Sequence, residues 1–344
     1  MARIAEVTKL TREVLKIPAD YHVGITAGSD TAAIELAMWN MLGARPVDVF
    51  GFEVFSNDWV TDITKQLKLP SARVFQAPFG ELPDLAQADF NNDVVFTWNG
   101  TTSGVIVPDG DWIPENRAGL VFCDAISAVF GVEIPWTKLD VTSFSWQKAL
   151  GGEAQHGVIV MSPRAVERLN SYTPAWPLPK IFRIKKGAEV SMGFFAGETI
   201  NTPSMLCVED ALDALKWCQT VGGLDGLCAR TQKNFKVISD WVARTPWIEF
   251  FARDAAARSP LAVTLKIISP EYAALDETAQ RKFNQELVGR VDAAGAGFDF
   301  NNHKLAPPAL RIWCGPTVEA ADVAALLEWI NWSFAKQIQT AKAA

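Results

Sequence analysis

One lysine constrains this chain more than any other feature. Lys148 lies in the stretch SFSWQKALGGEAQHG (residues 143–157), between an apolar, β-branched segment (139–144) and a second apolar segment (158–161). Both segments read as strands. The lysine therefore falls on a tight bend, with Ser143, Ser145 and Gln147 before it and Gly151 and Gly152 after it. An amine held on a bend inside an apolar core is desolvated, which lowers its pKa and makes it a nucleophile toward aldehydes. A surface lysine on an ordinary turn is the competing reading of the spacing alone.

Upstream, VFCDAIS (121–127) is an apolar strand ending in Asp124. Asp124 and Lys148 thus each stand at the end of a predicted strand, one crossover apart. That spacing suits pyridoxal 5'-phosphate (PLP). The lysine would attach to the aldehyde, and the aspartate would keep the pyridine nitrogen protonated so that the ring acts as an electron sink. An aspartate at a strand end also serves as a helix cap.

Along the chain, residues 2–16 read as an amphipathic helix with Ile4, Val7, Leu10 and Val14 on one face, ended by Pro18. A strand (22–26), a small-residue loop (27–31) and a helix follow, a pattern that cradles phosphate: Gly28 allows close backbone approach and the helix start offers free N–H groups. A plain N-cap by Ser29 or Asp30 fits that pattern equally. Strands are expected at 47–53, and at 73–77 and 94–98 as buried strands. Phe55 or Trp59, at the start of the next helix, offers an aromatic face to a flat ring. Hydroxyls at 101–103 lie where α/β sheets place ligands, or form a simple turn. His156 reads as a hydrogen-bonded structural residue, and Arg183, Lys185 and Lys186 as a solvated face. After about residue 246 strands and helices alternate in a smaller α+β pattern, near whose end stand His303, Lys304 and Arg311.

A formal net charge of −7 argues against nucleic acid or anionic membrane as partner. Any anionic ligand then needs local positive groups. Five cysteines without a CxxC pair, most among apolar neighbours, read as buried free thiols in a reducing cytoplasm. Three histidines make a His-rich metal site improbable, so no metal is expected. No signal peptide or membrane-spanning run is apparent, and no G-x-G-x-x-G follows the first strand, which disfavours a dinucleotide-binding enzyme.

SFSWQKALGGEAQHG, the strand with Asp124, TWNGTTSG (97–104) and GETINTPSM (197–205) together resemble the phosphoserine aminotransferases, in the class V branch of fold-type I PLP enzymes, over nearly the whole chain. The resemblance implies an α/β fold: a large PLP-binding domain (1–245) with a mostly parallel seven-stranded sheet, and a smaller α+β C-terminal domain (246–344). It implies amino transfer between O-phospho-L-serine with 2-oxoglutarate and 3-phosphohydroxypyruvate with L-glutamate, in serine biosynthesis, with pyridoxine biosynthesis left open. It assigns Lys148 and Asp124 to catalysis. It assigns Gly28, Ser29 and Asp30 to the cofactor phosphate, with the Asp30 side chain capping the helix or turned away, and Gln147 to the same phosphate. Trp59 is the better match for the ring face, with Phe55 as the alternative. Thr101 is the better match for the ring oxygen, with Thr102 close behind. Asn201 and Thr202 match residues that reach the neighbouring subunit's phosphate in a cytoplasmic homodimer. Arg311 matches the clamp for the substrate carboxylate, and His303 and Lys304 the pair for the substrate phosphate, where relatives often have His-Arg. Relatives carry a further N-terminal segment with an SSGP-like motif and basic residues, so the resemblance predicts a complete cofactor set and an incomplete substrate set. Two alternatives stay open: another class V aminotransferase, such as an alanine–glyoxylate or serine–pyruvate enzyme, or a PLP-binding protein without activity. A cysteine desulfurase would need a reactive loop cysteine, and none of the five is convincingly placed.

Overall fold

The computed structural model describes residues 2–343. Seven strands build the main sheet: β1 (His22–Ala27), β2 (Val47–Gly51), β3 (Ala72–Gln76), β4 (Asp93–Thr97), β5 (Val121–Asp124), β6 (Val141–Phe144) and β7 (His156–Met161). Their order is β1-β7-β6-β5-β4-β2-β3. Only β7 runs against the others, pairing antiparallel with β1 and β6; every other pairing is parallel. The C-terminal ends of six strands therefore share one edge of the sheet, and the site lies there.

The sheet is covered on both faces, as a parallel sheet must be. Side chains alternate with period two: Val121 and Cys123 join one core and Phe122 the other, while Val158 and Val160 oppose Ile159 and Met161. On the first face lie α1 (Ala2–Val14) and α5 (Met205–Thr220); Ile4, Val7 and Val14 of α1 are buried, with Leu10 packed at the margin. On the second lie α2 (Asp30–Met41), α3 (Val54–Thr61) and α4 (Pro163–Ser171). α1 stops before Pro18, with Lys16 already at φ +55°.

The long α6 (Gly223–Arg244) begins in the first core, through Leu224 and Leu227, and ends in another, through Ile238 and Trp241. That second core packs β8 (Ile248–Phe250), β9 (Ala262–Ile267) and β10 (Leu310–Trp313), an antiparallel sheet in that order, against α7 (Glu277–Ala293) and α8 (Ala320–Ala343).

Two expectations need correction. β3 is not a buried strand: it forms the sheet edge, Arg73 and Val74 are exposed, and the strand is held by the Arg73 guanidinium on the buried Asp48 carboxylate. Its apolar pattern resembled an inner strand because one face still packs, through Phe75, on Phe50. The basic segment is only half a solvated face: Lys185 and Lys186 form a short hairpin with Glu189–Val190, and Phe182 and Ile184 beside them turn into the core on the α2 side of the main sheet. Cys123, Cys207, Cys218 and Cys314 are buried free thiols, and Cys228 is partly exposed. No helix among the described residues is long and apolar enough to cross a membrane.

Candidate active site

The loops leaving β1, β4, β5 and β6 enclose one cavity, with the start of α3 as a wall. β1 ends at Ala27, and Gly28 turns the chain in the left-handed region, at φ +75°, that glycine adopts without strain. Ser29 is the N-cap of α2, yet its hydroxyl makes no capping bond, so the first-turn amides stay available to an anion. β7 passes close beneath: a Cβ at Gly157 would stand 2.5 Å from the Ser29 carbonyl oxygen, and any larger residue there would push the cup away.

Asp30 does not cap α2; its side chain turns inward, toward the ends of β5 and β6. Because Ser29 takes the cap position, Asp30 is the first helical residue. Helical Cβ bonds tilt toward the N-terminus, which here faces the ends of β5 and β6. The residue is 3% exposed, its carboxyl faces Asp124 and Ser143, and its Oδ1 has no hydrogen-bond partner.

Asp124 is the last residue of β5. Its Oδ2 accepts the Trp59 Nε1–H at 3.0 Å and its Oδ1 accepts the Ile126 N–H at 3.1 Å. Burial raises its pKa, and those two donors, with Lys148 nearby, oppose the rise. Gln147 and Lys148 enter from the loop after β6. Burial pushes the Lys148 amine below the ordinary lysine range, and the Arg311 guanidinium pushes it the same way.

Thr101 lines the cavity, whereas the Thr102 hydroxyl donates to Glu53 Oε2 at 2.8 Å and so is engaged in the fold. Glu53 was not singled out from the sequence. It is buried, caps α3 by accepting Ser56 N–H at 2.8 Å, and desolvation pushes its carboxyl up to about 7. Glu-x-x-Ser before an apolar helix was its only signal, a capping box with the two residue types reversed.

Trp59 and Phe55 both line the cavity but differ in freedom. Trp59 is 4% exposed and fixed by its bond to Asp124. Phe55 is only partly buried, and its ring lies 5.9 Å from that of His303. Phe55 is thus the more exposed of the two, while the Trp59 indole N–H is engaged by Asp124.

Arg311 sits on β10 opposite Thr264, close enough to depress both Lys148 and His303. Lys304 is exposed and faces a neighbouring cavity with Arg281, Asn284 and Asn302 rather than that of Lys148. Asn302 ties its loop to the Thr102 carbonyl at 3.1 Å. Asn201 and Thr202 are exposed and are not brought into the cavity of their own chain. His156 is structural: its Nε2 accepts the Ser204 N–H at 3.1 Å and so anchors α5.

No protein-family model matches the chain. The chain is 53% identical over 332 residues to the phosphoserine aminotransferase of Methanosarcina barkeri, covering 96% of this chain and 87% of that one. Among solved structures it is similar to the phosphoserine aminotransferase of Bacillus circulans subsp. alkalophilus, with a TM-score of 0.79 at 17% identity over 98% of this chain and 87% of the other. It is equally similar to the pyridoxamine–pyruvate aminotransferase of Mesorhizobium loti, with a TM-score of 0.80 at 17% identity over 98% and 84%. At such identities the structural likeness speaks for the fold alone.

Proposed function

The chain belongs to the phosphoserine aminotransferase family, and we propose on that premise that it moves an amino group between O-phospho-L-serine with 2-oxoglutarate and 3-phosphohydroxypyruvate with L-glutamate. The observation that carries the reading is the convergence of Lys148, Asp124, Thr101, Gln147 and the start of α2 on one cavity.

The residues fit PLP. The amide cup at residues 28–31 suits its phosphate, a buried carboxylate suits its pyridine nitrogen, and a desolvated amine suits its aldehyde. When bound, PLP supplies an electron sink for the carbanion at the substrate Cα. The chain does the rest. Asp124 holds a proton on the ring nitrogen. Lys148 Nζ removes the Cα proton as a base and returns it as an acid; its lowered pKa leaves more of it neutral at a given pH than an ordinary lysine. Arg311 clamps the substrate carboxylate. His303, beside Phe55, meets the substrate phosphate, with Lys304 assigned a longer-range electrostatic part from its exposed place.

Phe55 is proposed as the stacking residue. Phe55→Ala should weaken PLP binding about tenfold, the worth of one aromatic contact of roughly 1.4 kcal/mol. Trp59→Phe keeps an aromatic body but removes a donor from Asp124, and should alter the spectrum of bound PLP more than its affinity. Quenching of tryptophan fluorescence by PLP measures the first, and absorption the second. Equal loss of affinity in both would return the stacking role to Trp59.

A homodimer is proposed, with Asn201 and Thr202 acting on the partner's cofactor phosphate. Their exposure beside apolar Ile200, Met205 and Leu206, the last 81% exposed, supports this. Large and small domains are proposed to divide near residue 245; their outer limits, Met1 and Ala344, lie outside the described residues. A cytoplasmic location fits the free thiols, and the proposed activity serves serine biosynthesis, with pyridoxine biosynthesis as a further proposed role.

The deciding experiment is the absorption of the PLP-loaded protein titrated with O-phospho-L-serine, L-serine and L-alanine. Conversion by phosphoserine alone supports the assignment. Conversion by alanine or serine at equal concentration would move the enzyme to another class V activity.

A further inference from the structure

The Asp30 carboxyl is a buried acid without an assigned task at the bottom of the cofactor cavity. We infer that Asp30 is a positioning residue that carries a proton and donates it in a hydrogen bond to Asp124, forming a carboxylic acid–carboxylate pair. The inference deepens the PLP reading and rests on it for its consequence, not for the existence of the pair.

The inventory of donors decides which partner holds the proton. Asp124 already accepts two N–H bonds, from Trp59 and Ile126, so it is equipped to be the anion. Asp30 has no N–H donor: its Oδ1 is unpartnered and the residue is 3% exposed, and the Ser143 hydroxyl is the one neutral donor facing it. Ser143, directly opposite Asp124 in the sheet register, has a buried Oγ that is unpartnered too. Two carboxyls sharing a dry cavity cannot both ionise, and the one with the poorer set of donors stays neutral. Burial and the Asp124 charge hold the Asp30 proton well above the ordinary carboxylate range.

The groups facing Asp30 come from three elements: Asp124 on β5, Ser143 on β6 and Lys148 on the following loop; the buried Cys123 thiol also feels it. Only Lys148 carries positive charge, and its pKa is itself lowered. A neutral Asp30 also removes a conflict at the cup. It is the first residue of the helix that offers its amides to a phosphate, and an ionised carboxylate there would repel that anion.

The pair is tested first without cofactor. Infrared spectra of the apo protein, taken well above the value of about 7 to which burial pushes the Glu53 and Asp62 carboxyls, should show a carboxylic-acid carbonyl band that shifts in heavy water. The band should vanish in Asp30→Asn. No band in the wild type, or a band unchanged in Asp30→Asn, overturns the inference, and the wild-type spectrum alone suffices should the variant fold poorly. The second readout is PLP affinity. Asp30→Asn keeps a donor toward Asp124 and should bind within about threefold of the wild type. Asp30→Ala removes it and should lose about tenfold or more, with a shifted pH dependence of the bound-PLP spectrum. Wild-type affinity and pH profile in Asp30→Ala would refute the positioning role. Failure of the wild type to bind PLP, with the infrared band present, would instead sink the cofactor reading and leave the pair standing.

Discussion

Lys148→Ala should reduce turnover by about 10⁴-fold or more while the protein stays folded. The expectation combines two losses, the covalent anchor for the cofactor and the group that shuttles the Cα proton; the proton-transfer part alone is worth about 10²–10⁴. The fold should tolerate the change. Lys148 sits in a loop between β6 and β7, and its amine is desolvated and pushed toward neutrality by burial and Arg311. Burial and Arg311 outweigh the pull of Asp124, Asp299 and Asp30 on its charge, so its removal costs the fold little. Lys148→Arg tests chemistry against charge. A guanidinium stays protonated at any working pH and cannot serve as the base, so this variant should be as inactive as alanine though it keeps the positive charge. Steady-state rates with phosphoserine, thermal melts and the cofactor spectrum together read the result. Residual activity above about a hundredth of wild type in either variant would remove Lys148 from the central role.

Lys148 and Asp124 were legible because each follows a short apolar strand, and the strand period places the residue at its end on the ligand-bearing edge of the sheet. The cup at Gly28 was legible for a similar reason: strand, small residues and helix leave few conformations. What stayed hidden was side-chain direction. Asp30 reads as a cap in one dimension; only the antiparallel passage of β7 under Ser29 and the proximity of β5 show that it points inward. Trp59 and Phe55 lie one helical turn apart and share a face in sequence, but the Trp59 bond to Asp124 is a contact across 65 positions. Glu53 and Thr102 meet across 49 positions, with nothing local to announce them. β3 misled because an edge strand packed on one face carries nearly the residues of an inner one. Lys304 is adjacent to His303 in the chain yet opens on a different cavity, because the loop folds back around Asn302.

The same sheet separates its chemistry from its stability, and Asp140 exposes the division. It sits just before β6, at the end of the sheet opposite Lys148, and is 1% exposed. Its carboxylate accepts Arg117 Nη2 at 3.2 Å, Arg164 Nη1 at 2.9 Å, the Val121 N–H at 2.9 Å and the Ser162 hydroxyl at 2.9 Å. One side chain thus ties the first residue of β5, the approach to β6 and the residue after β7. Asp140→Ala leaves the Arg117 guanidinium, whose side chain is 4% exposed, as a buried charge without its carboxylate. Breaking a buried pair from one side costs about 3–5 kcal/mol, so the urea midpoint should fall sharply with little change in slope. Asp140→Asn keeps the shape and one acceptor but not the charge, and should fall between alanine and wild type. Below the transition, the folded fraction of either variant should bind PLP and turn over phosphoserine nearly as the wild type does, because Asp124 and Lys148 are positioned at the other end of β5 and β6. A large loss of activity per folded molecule would mean that the strand starts and strand ends are coupled, and that the register held by Asp140 is itself part of the catalytic geometry.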